Sequence, residues 1–361
     1  MKNNKRFVLV TLLLGAILLV AGCGGANNVG SSRQNGDSAT TAGGETKQKV
    51  YKIGMITDGG GVNDNSYNQY AWEGLKKLQM ITGAEVKYLE SKTDADHEPN
   101  LNQFVQQGFD LIWSLSFTTE EALRNVANAN KSFHFGIIDS DLGGDIPDNV
   151  VSVTHKEEEG SFLVGVIAGL MTKTNKIGFI GGVDFATINK FEYGFKAGVK
   201  TVNPNAEVTS VYTGSFTAPD LGKQAAATMY DQGIDIIYHA AGPTGAGLFN
   251  EAKERKAKGE DIWVIGVDSD QSVTFGTDVT LTSMMKYTNE AIFLMSQRFM
   301  KGEFNGGTTQ ALGLAEGAVG IAPTSDVNVP NDILNQVIQY QNKIIAGEIK
   351  VPKNKEEFDQ F

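Results

Sequence analysis

From Val50 onward, short runs of consecutive apolar residues alternate with longer stretches whose apolar positions recur at helical spacing, the pattern of βα units built on a parallel sheet. Tyr51–Thr57 predicts the first strand. Tyr70, Ala71, Leu75 and Leu78 then mark one face of a helix, with Ser66 and Gln69 spaced as a capping box and Gly83 as the stop. Strands are predicted at Val86–Leu89, Asp110–Ser114 and Phe133–Ile138, with helices at Pro99–Gln107 and after Thr118, which pairs with Glu121 as a second cap. Glu157–Lys173 is apolar around most of its circumference, so this helix is expected to be deeply buried.

After it the alternation begins again. Strands are predicted at Lys176–Ile180, Glu207–Tyr212, Asp235–His239 and Trp263–Val267, separated by helices at Asn189–Val202, Pro219–Gln232 and Thr244–Lys258. The halves repeat weakly at an offset of roughly 125 residues, longer than any solenoid unit. Ile53-Gly-Met-Ile matches Ile177-Gly-Phe-Ile, Asp110-Leu-Ile-Trp matches Asp235-Ile-Ile-Tyr, and Phe135-Gly-Ile-Ile-Asp-Ser-Asp141 matches Val264-Ile-Gly-Val-Asp-Ser-Asp270. Three matches in one order point to two similar α/β lobes facing each other. The tail predicts a strand at Thr280–Met285, a helix at Asn289–Met300, an extended pair within Gln310–Ile321 and a helix at Pro330–Ala346. With the chain crossing between lobes more than once, the expected division is 50–155 plus 272–305 for the first lobe and 156–271 plus 306–361 for the second. Strand 280–285 is thereby assigned to the first lobe.

The N-terminus changes the picture. Lys2, Lys5 and Arg6 precede an uncharged run from Phe7 to Ala21 and then the only cysteine, Cys23, the layout of a signal peptide over residues 1–22. Val20-Ala21-Gly22-Cys23 resembles a bacterial lipobox, which implies lipidation at Cys23 and a place on the outer face of the cytoplasmic membrane. The polar, unpatterned residues 23–49 are expected to form a flexible tether. A single cysteine allows no internal disulfide, so the cores alone must hold the fold. The formal net charge is −11, and loss of residues 1–22 removes only positive charge. Nucleic acid is therefore excluded as an expected partner, and membrane attachment is assigned to acyl chains rather than a basic patch.

Catalytic patterns are scarce. The chain has no G-x-S-x-G, Walker loop, H-E-x-x-H or C-x-x-C, and His97, His134, His155 and His239 lack metal-ligand spacing, so neither a metal nor a cofactor is expected. Asp94-Ala-Asp96 reads as a solvated turn. Chemistry concentrates instead at strand ends, where open α/β sheets bind ligands. Asp58 opens the glycine-rich stretch Asp58–Gly74; Asp139-Ser-Asp141 and Asp268-Ser-Asp270 follow apolar runs, with Asp268 favoured as a ligand contact and helix capping as the alternative. Tyr67, Phe117 and Phe216 fall at similar places. Carboxylates and rings together describe a slot for a flat ring joined to a polyol.

The lipobox at Cys23, Asp58 through Tyr67-Asn68-Gln69 and Ala71-Trp72-Glu73-Gly74, Ala240-Ala-Gly-Pro-Thr-Gly-Ala-Gly247 and Ile265-Gly-Val-Asp-Ser-Asp-Gln271 resemble the basic membrane protein family, PnrA-like nucleoside-binding lipoproteins of ABC importers. The resemblance spans essentially the whole mature chain. It implies a type I periplasmic-binding-protein fold, two Rossmann-like lobes with parallel sheets joined by a hinge, closing on a purine nucleoside and presenting it to an ABC permease as a monomer without catalysis. It also implies ribose contacts from Asp58 and Asp268, base stacking by Tyr67, a base hydrogen bond from Asn68, ring contacts from Phe117 and Phe216, close backbone approach at Gly242 and a polar contact from Lys286. The chain departs from the family at Tyr67, commonly Phe, and at Asn63-Asp64-Asn65, commonly Asp-Asp-Lys. Rival expectations are a sugar or signal-molecule binder of the same fold, a calcium-dependent nucleoside hydrolase, and a surface adhesin.

Overall fold

The computed structural model describes residues 49–361. The expected signal peptide, Cys23 and all but the last residue of the expected tether lie outside the described residues.

The first half runs β1 (Lys52–Ile56), α1 (Tyr67–Thr82), β2 (Glu85–Leu89), α2 (His97–Gln106), β3 (Leu111–Leu115), α3 (Glu120–Ala129), β4 (His134–Ile138) and β5 (Val150–His155). The second runs α4 (Glu157–Met171), β6 (Lys176–Gly181), α5 (Ala186–Val202), β7 (Glu207–Tyr212), α6 (Pro219–Asp231), β8 (Ile236–Ala240), α7 (Gly245–Lys256), β9 (Trp263–Asp268), α8 (Ser272–Phe275) and β10 (Thr280–Lys286). The remainder is α9 (Thr288–Met300), β11 (Thr308–Leu312), β12 (Val319–Ile321), α10 (Asn331–Ile345) and α11 (Lys355–Asp359). Among the described residues no helix is long and apolar enough to cross a membrane.

Two six-stranded sheets form, ordered β11-β5-β4-β3-β1-β2 and β12-β10-β9-β8-β6-β7, so each strand of one has a counterpart in the other. The core strands are buried along their whole length because helices cover both faces, which is why they read as mostly apolar runs rather than alternations. All pairings are parallel except β10 with β12.

The tail departs from expectation. Strand 280–286 belongs to the second sheet, beside β9, rather than to the first lobe. The fifth position of the first sheet is filled by β5, a strand whose apolar residues Val150, Val151 and Val153 had not been recognised as one, so β10 is the counterpart that completes the second sheet. The segment Gln310–Ile321 is not a pair: β11 lies against β5 in the first sheet, and β12 against β10 in the second. Residues 306–361 are therefore divided between the sheets. The chain passes from one to the other at 155–157, and α9 returns to pack on α1.

Among the described residues α4 is the most deeply enclosed helix, with Phe162, Leu163, Val164, Val166, Ile167 and Ala168 fully buried. It packs closely on α5 through glycines; a Cβ on Gly198 would stand 2.1 Å from the Phe162 carbonyl oxygen. Burying each large aliphatic side chain contributes about 1.5–3 kcal/mol, so this pair anchors the second lobe's core.

Candidate functional site

The strand ends of the two sheets face a common cavity of about 270 Å³. Asp58, Tyr67, Asn68, Phe117, Phe216, Gly242, Asp268 and Lys286 all line it. The wall also contains Asp139, which the sequence sets at a strand end without favouring it as a contact, and Ser116, Lys92, Asp94 and, from α5, Ile188 and Phe191, which were not expected there. The internal repeat equates Asp139 with Asp268. Asp94, read as part of a solvated turn, lies at the wall because the loop after β2 folds over it.

The loop from Asp58 to Ser66 is ordered by Asp64, not by a capping box. The Asp64 carboxylate accepts from the backbone N–H of Ser66, Asn68 and Gln69 at 2.9–3.0 Å, so it satisfies the orphan donors of α1. The Ser66 hydroxyl is left free of that duty and donates to Asp268 Oδ2 at 2.9 Å, tying the first lobe to the second. Asn68 donates through Nδ2 to Asp58 Oδ1 (2.7 Å) and Asp64 Oδ2 (2.9 Å), and its Oδ1 accepts from the Asp58 N–H. Both amide hydrogens are thus committed to the loop rather than free for a base, and Asn68 fixes the Asp58 carboxylate. Burial pushes the Asp58 carboxyl up to about 6 even though Asn68 and the Gly60 N–H favour its charged form. Burial also raises the Asp268 carboxyl, against the pull of Lys286 and Ser66.

Asp139 and Asp268 end β4 and β9 in the same left-handed backbone conformation, φ 64° and 65°. Their next-but-one neighbours cap turns, as the alternative reading allowed: Asp141 accepts from the Gly143 N–H, and Asp270 from Ser272 and Thr324. Asp139 itself is buried against Lys286 and His155. The Lys286 ammonium donates to its Oδ2, and His155 Nδ1 lies 3.0 Å from its Oδ1. Burial opposes charge on Asp139, but Lys286 and His155 overcome it and hold the carboxyl well below the usual range. Burial would likewise lower the Lys286 ammonium, and Asp139, Glu157 and Asp268 outweigh it. Asp139, His155 and Glu157 converge as metal ligands would. Lys286 holds the cation's place among them, 3.6 Å from Glu157 Oε1, and Lys190 donates to Glu157 Oε2 at 3.1 Å.

The rings form the remaining wall. The Lys286 ammonium sits over Tyr67, 4.9 Å from the ring centre, and the Tyr67 hydroxyl accepts from the Ser116 N–H at 3.1 Å. That bond uses the oxygen of the hydroxyl which distinguishes Tyr67 from phenylalanine and fixes the ring plane. Phe117 lies edge-on to Phe216, with centroids 6.2 Å apart. Gly242 adopts φ 53°, and a Cβ there would approach the Phe216 carbonyl oxygen to 3.5 Å, so glycine lets this backbone turn beside the cavity. The rest of the glycine-rich stretch serves packing: a Cβ on Gly247 would strike the Pro219 carbonyl oxygen at 1.8 Å. His239 is structural; its Nε2 bonds Gln271 Oε1, and burial pulls its imidazole down to about 4.

Residues 51–355 match the family described as ABC transporter substrate-binding protein PnrA-like. The CD4+ T-cell-stimulating antigen of Listeria innocua is 40% identical, the alignment covering 98% of this chain and 99% of the relative. The ABC transporter nucleoside-binding protein BmpA of Lactococcus lactis is 34% identical over 97% of this chain and 99% of its own. Among solved structures, an ABC transporter solute-binding protein from Aeropyrum pernix superposes with a TM-score of 0.77 at 27% identity, covering 86% of this chain and 96% of the other. Two facing α/β sheets with a cavity at their strand ends are the type I periplasmic-binding architecture. The chain belongs to the PnrA-like family of ABC transporter substrate-binding proteins.

Proposed function

We propose that the cavity binds a purine nucleoside, and that the protein, held to the outer face of the cytoplasmic membrane through a lipid on Cys23, delivers it to the permease of an ABC importer. The observation that carries this reading is that aromatic rings and poorly solvated carboxylates from opposite lobes meet in one cavity, with Tyr67 and Phe216 beside Asp58 and Asp268. Rings suit a base, with stacking of about 1–3 kcal/mol; carboxylates suit ribose hydroxyls, with hydrogen bonds to a charged acceptor of about 1.5–3 kcal/mol. The name of the Lactococcus relative supports the same ligand class. Closure of the lobes buries the ligand and presents the permease with a loaded shape. Lys286 is committed to Asp139 and Glu157 and so is not available to meet a phosphate.

The test is mass spectrometry of small molecules released on denaturing freshly purified protein, followed by incubation with inosine and assay for free hypoxanthine. A purine nucleoside recovered intact, without base release, supports the reading. Recovery of a simple sugar, or sustained release of base, overturns it in favour of a sugar binder or a hydrolase.

A further inference from the structure

The glycine-containing loop that follows β6 is the counterpart, in the second lobe, of the Asp58–Ser66 loop that follows β1. In the first lobe that loop reaches across the cleft with the Ser66 hydroxyl to Asp268. In the second lobe the corresponding loop ends in Phe185, just before α5, and it too reaches across. The Phe185 ring lies parallel to Phe117 of the first lobe, with centroids 4.0 Å apart and planes 10° apart. Phe117 in turn meets Phe216 edge-on. A single first-lobe ring is thus held between two rings of the second lobe. Phe185 lies outside the cavity wall, and 40% of its surface is exposed. An exposed phenylalanine is not explained by core packing, and one beyond the wall is not explained by ligand contact.

We propose that Phe185 is a positioning residue, an aromatic latch that holds Phe117 over the cavity and slows ligand release without touching the ligand. The proposal rests on the reading of the cavity as a ligand site. The contact joins two lobes, so it exists only when they are together; encounter with ligand in an open form does not use it, and escape must break it. Its effect therefore falls on the dissociation rate, where most affinity differences within one interface arise. Stacking of one aromatic pair corresponds to an effect of about three- to tenfold. Phe185 meets no ligand atom, so it scales all ligands alike.

The test uses Phe185→Ala and Phe185→Tyr with two measurements. Stopped-flow with inosine and guanosine is expected to show dissociation about three- to tenfold faster in Phe185→Ala, association within about twofold of wild type, and the ratio between the two nucleosides unchanged, while Phe185→Tyr restores slow release. Hydrogen–deuterium exchange with saturating inosine is expected to show faster exchange in Phe185→Ala in the peptide spanning Ser116–Thr119, which lies in the opposite lobe. Unaltered exchange across the cleft in Phe185→Ala overturns the latch, as does a changed nucleoside ranking, which would make Phe185 part of the pocket itself. Failure of the wild-type protein to bind either nucleoside overturns the proposed function instead, whereas binding with unaltered exchange overturns the latch alone.

Discussion

Asp139 and Asp268 close the same strand in the two halves of the molecule, each followed by Ser-Asp and each with positive φ, yet their surroundings are opposite. Asp139 is paired with Lys286 and approached by His155, whereas Asp268 has only the Ser66 hydroxyl in direct contact. The asymmetry arises at the neighbouring strands. His155 ends β5 and Lys286 ends β10, its counterpart, but Lys286 extends across the cleft to the first-lobe aspartate rather than serving the one beside it. A duplicated motif has thus been divided between two tasks. One copy is a charged link between lobes; the other is an acceptor left unneutralised at the cavity wall.

The link should be the costlier to break. Asp139→Asn leaves the buried Lys286 with Glu157 alone at 3.6 Å, and urea unfolding is expected to show a loss of about 3–5 kcal/mol, the usual consequence of removing one partner from a buried pair. A variant with wild-type stability and abolished binding would reverse the assignment of the two aspartates.

The unneutralised carboxylates should make binding sensitive to acid. Burial raises the Asp58 carboxyl to about 6 from its ordinary 3.8, so the folded protein holds this proton more tightly than the unfolded chain. Its contribution to stability is fully present below pH 3.8 and is lost as pH rises through about 6. Ligand binding has the opposite sign, because the ionised form accepts ribose hydroxyls. Calorimetry is expected to show nucleoside affinity level above pH 7 and falling by about tenfold between pH 7 and 5, with the decline missing from a weaker-binding Asp58→Asn variant.

Tyr67→Phe is the mildest probe. It removes one of two acceptors of the Ser116 N–H, which also donates to the Ile138 carbonyl oxygen at 3.1 Å, and is expected to cost no more than about 1 kcal/mol of stability, read from the same urea transitions. Nucleoside affinity should stay within about twofold, because the hydroxyl oxygen is bonded to backbone and the ring is the part proposed to meet the base. A large affinity loss would mean that the hydroxyl meets the base.

Much of this organisation is legible in the chain. The buried strands announce themselves as apolar runs, α4 by its all-round apolarity, and the lobes by their repeated strand endings. Val150–His155 escaped because Gly143-Gly144 and Pro147 punctuate the segment before it, and one residue separates it from α4, so it blends into the approach to that helix. Missing β5 also displaced β10, since the count of strands in each sheet was then wrong. At the site, residues standing at strand ends could be named because topology alone carries them to the cleft. Contacts across the cleft could not: nothing local to Ser66 or Asp268 records that they meet across 202 residues of chain. Nor does the Asp139 motif state that Lys286 will choose it over Asp268. The capping of α1 failed for a related reason, since Asp64 competes for the same donors as Ser66 and a carboxylate is the stronger acceptor.

The most direct measurement is calorimetric titration of inosine into wild-type protein and into Asp268→Asn at pH 7.5, beside their urea unfolding curves. The account predicts at least about tenfold weaker binding in the variant, with stability equal to or above wild type because a desolvated charge is removed. Equal affinity in the two proteins would contradict it.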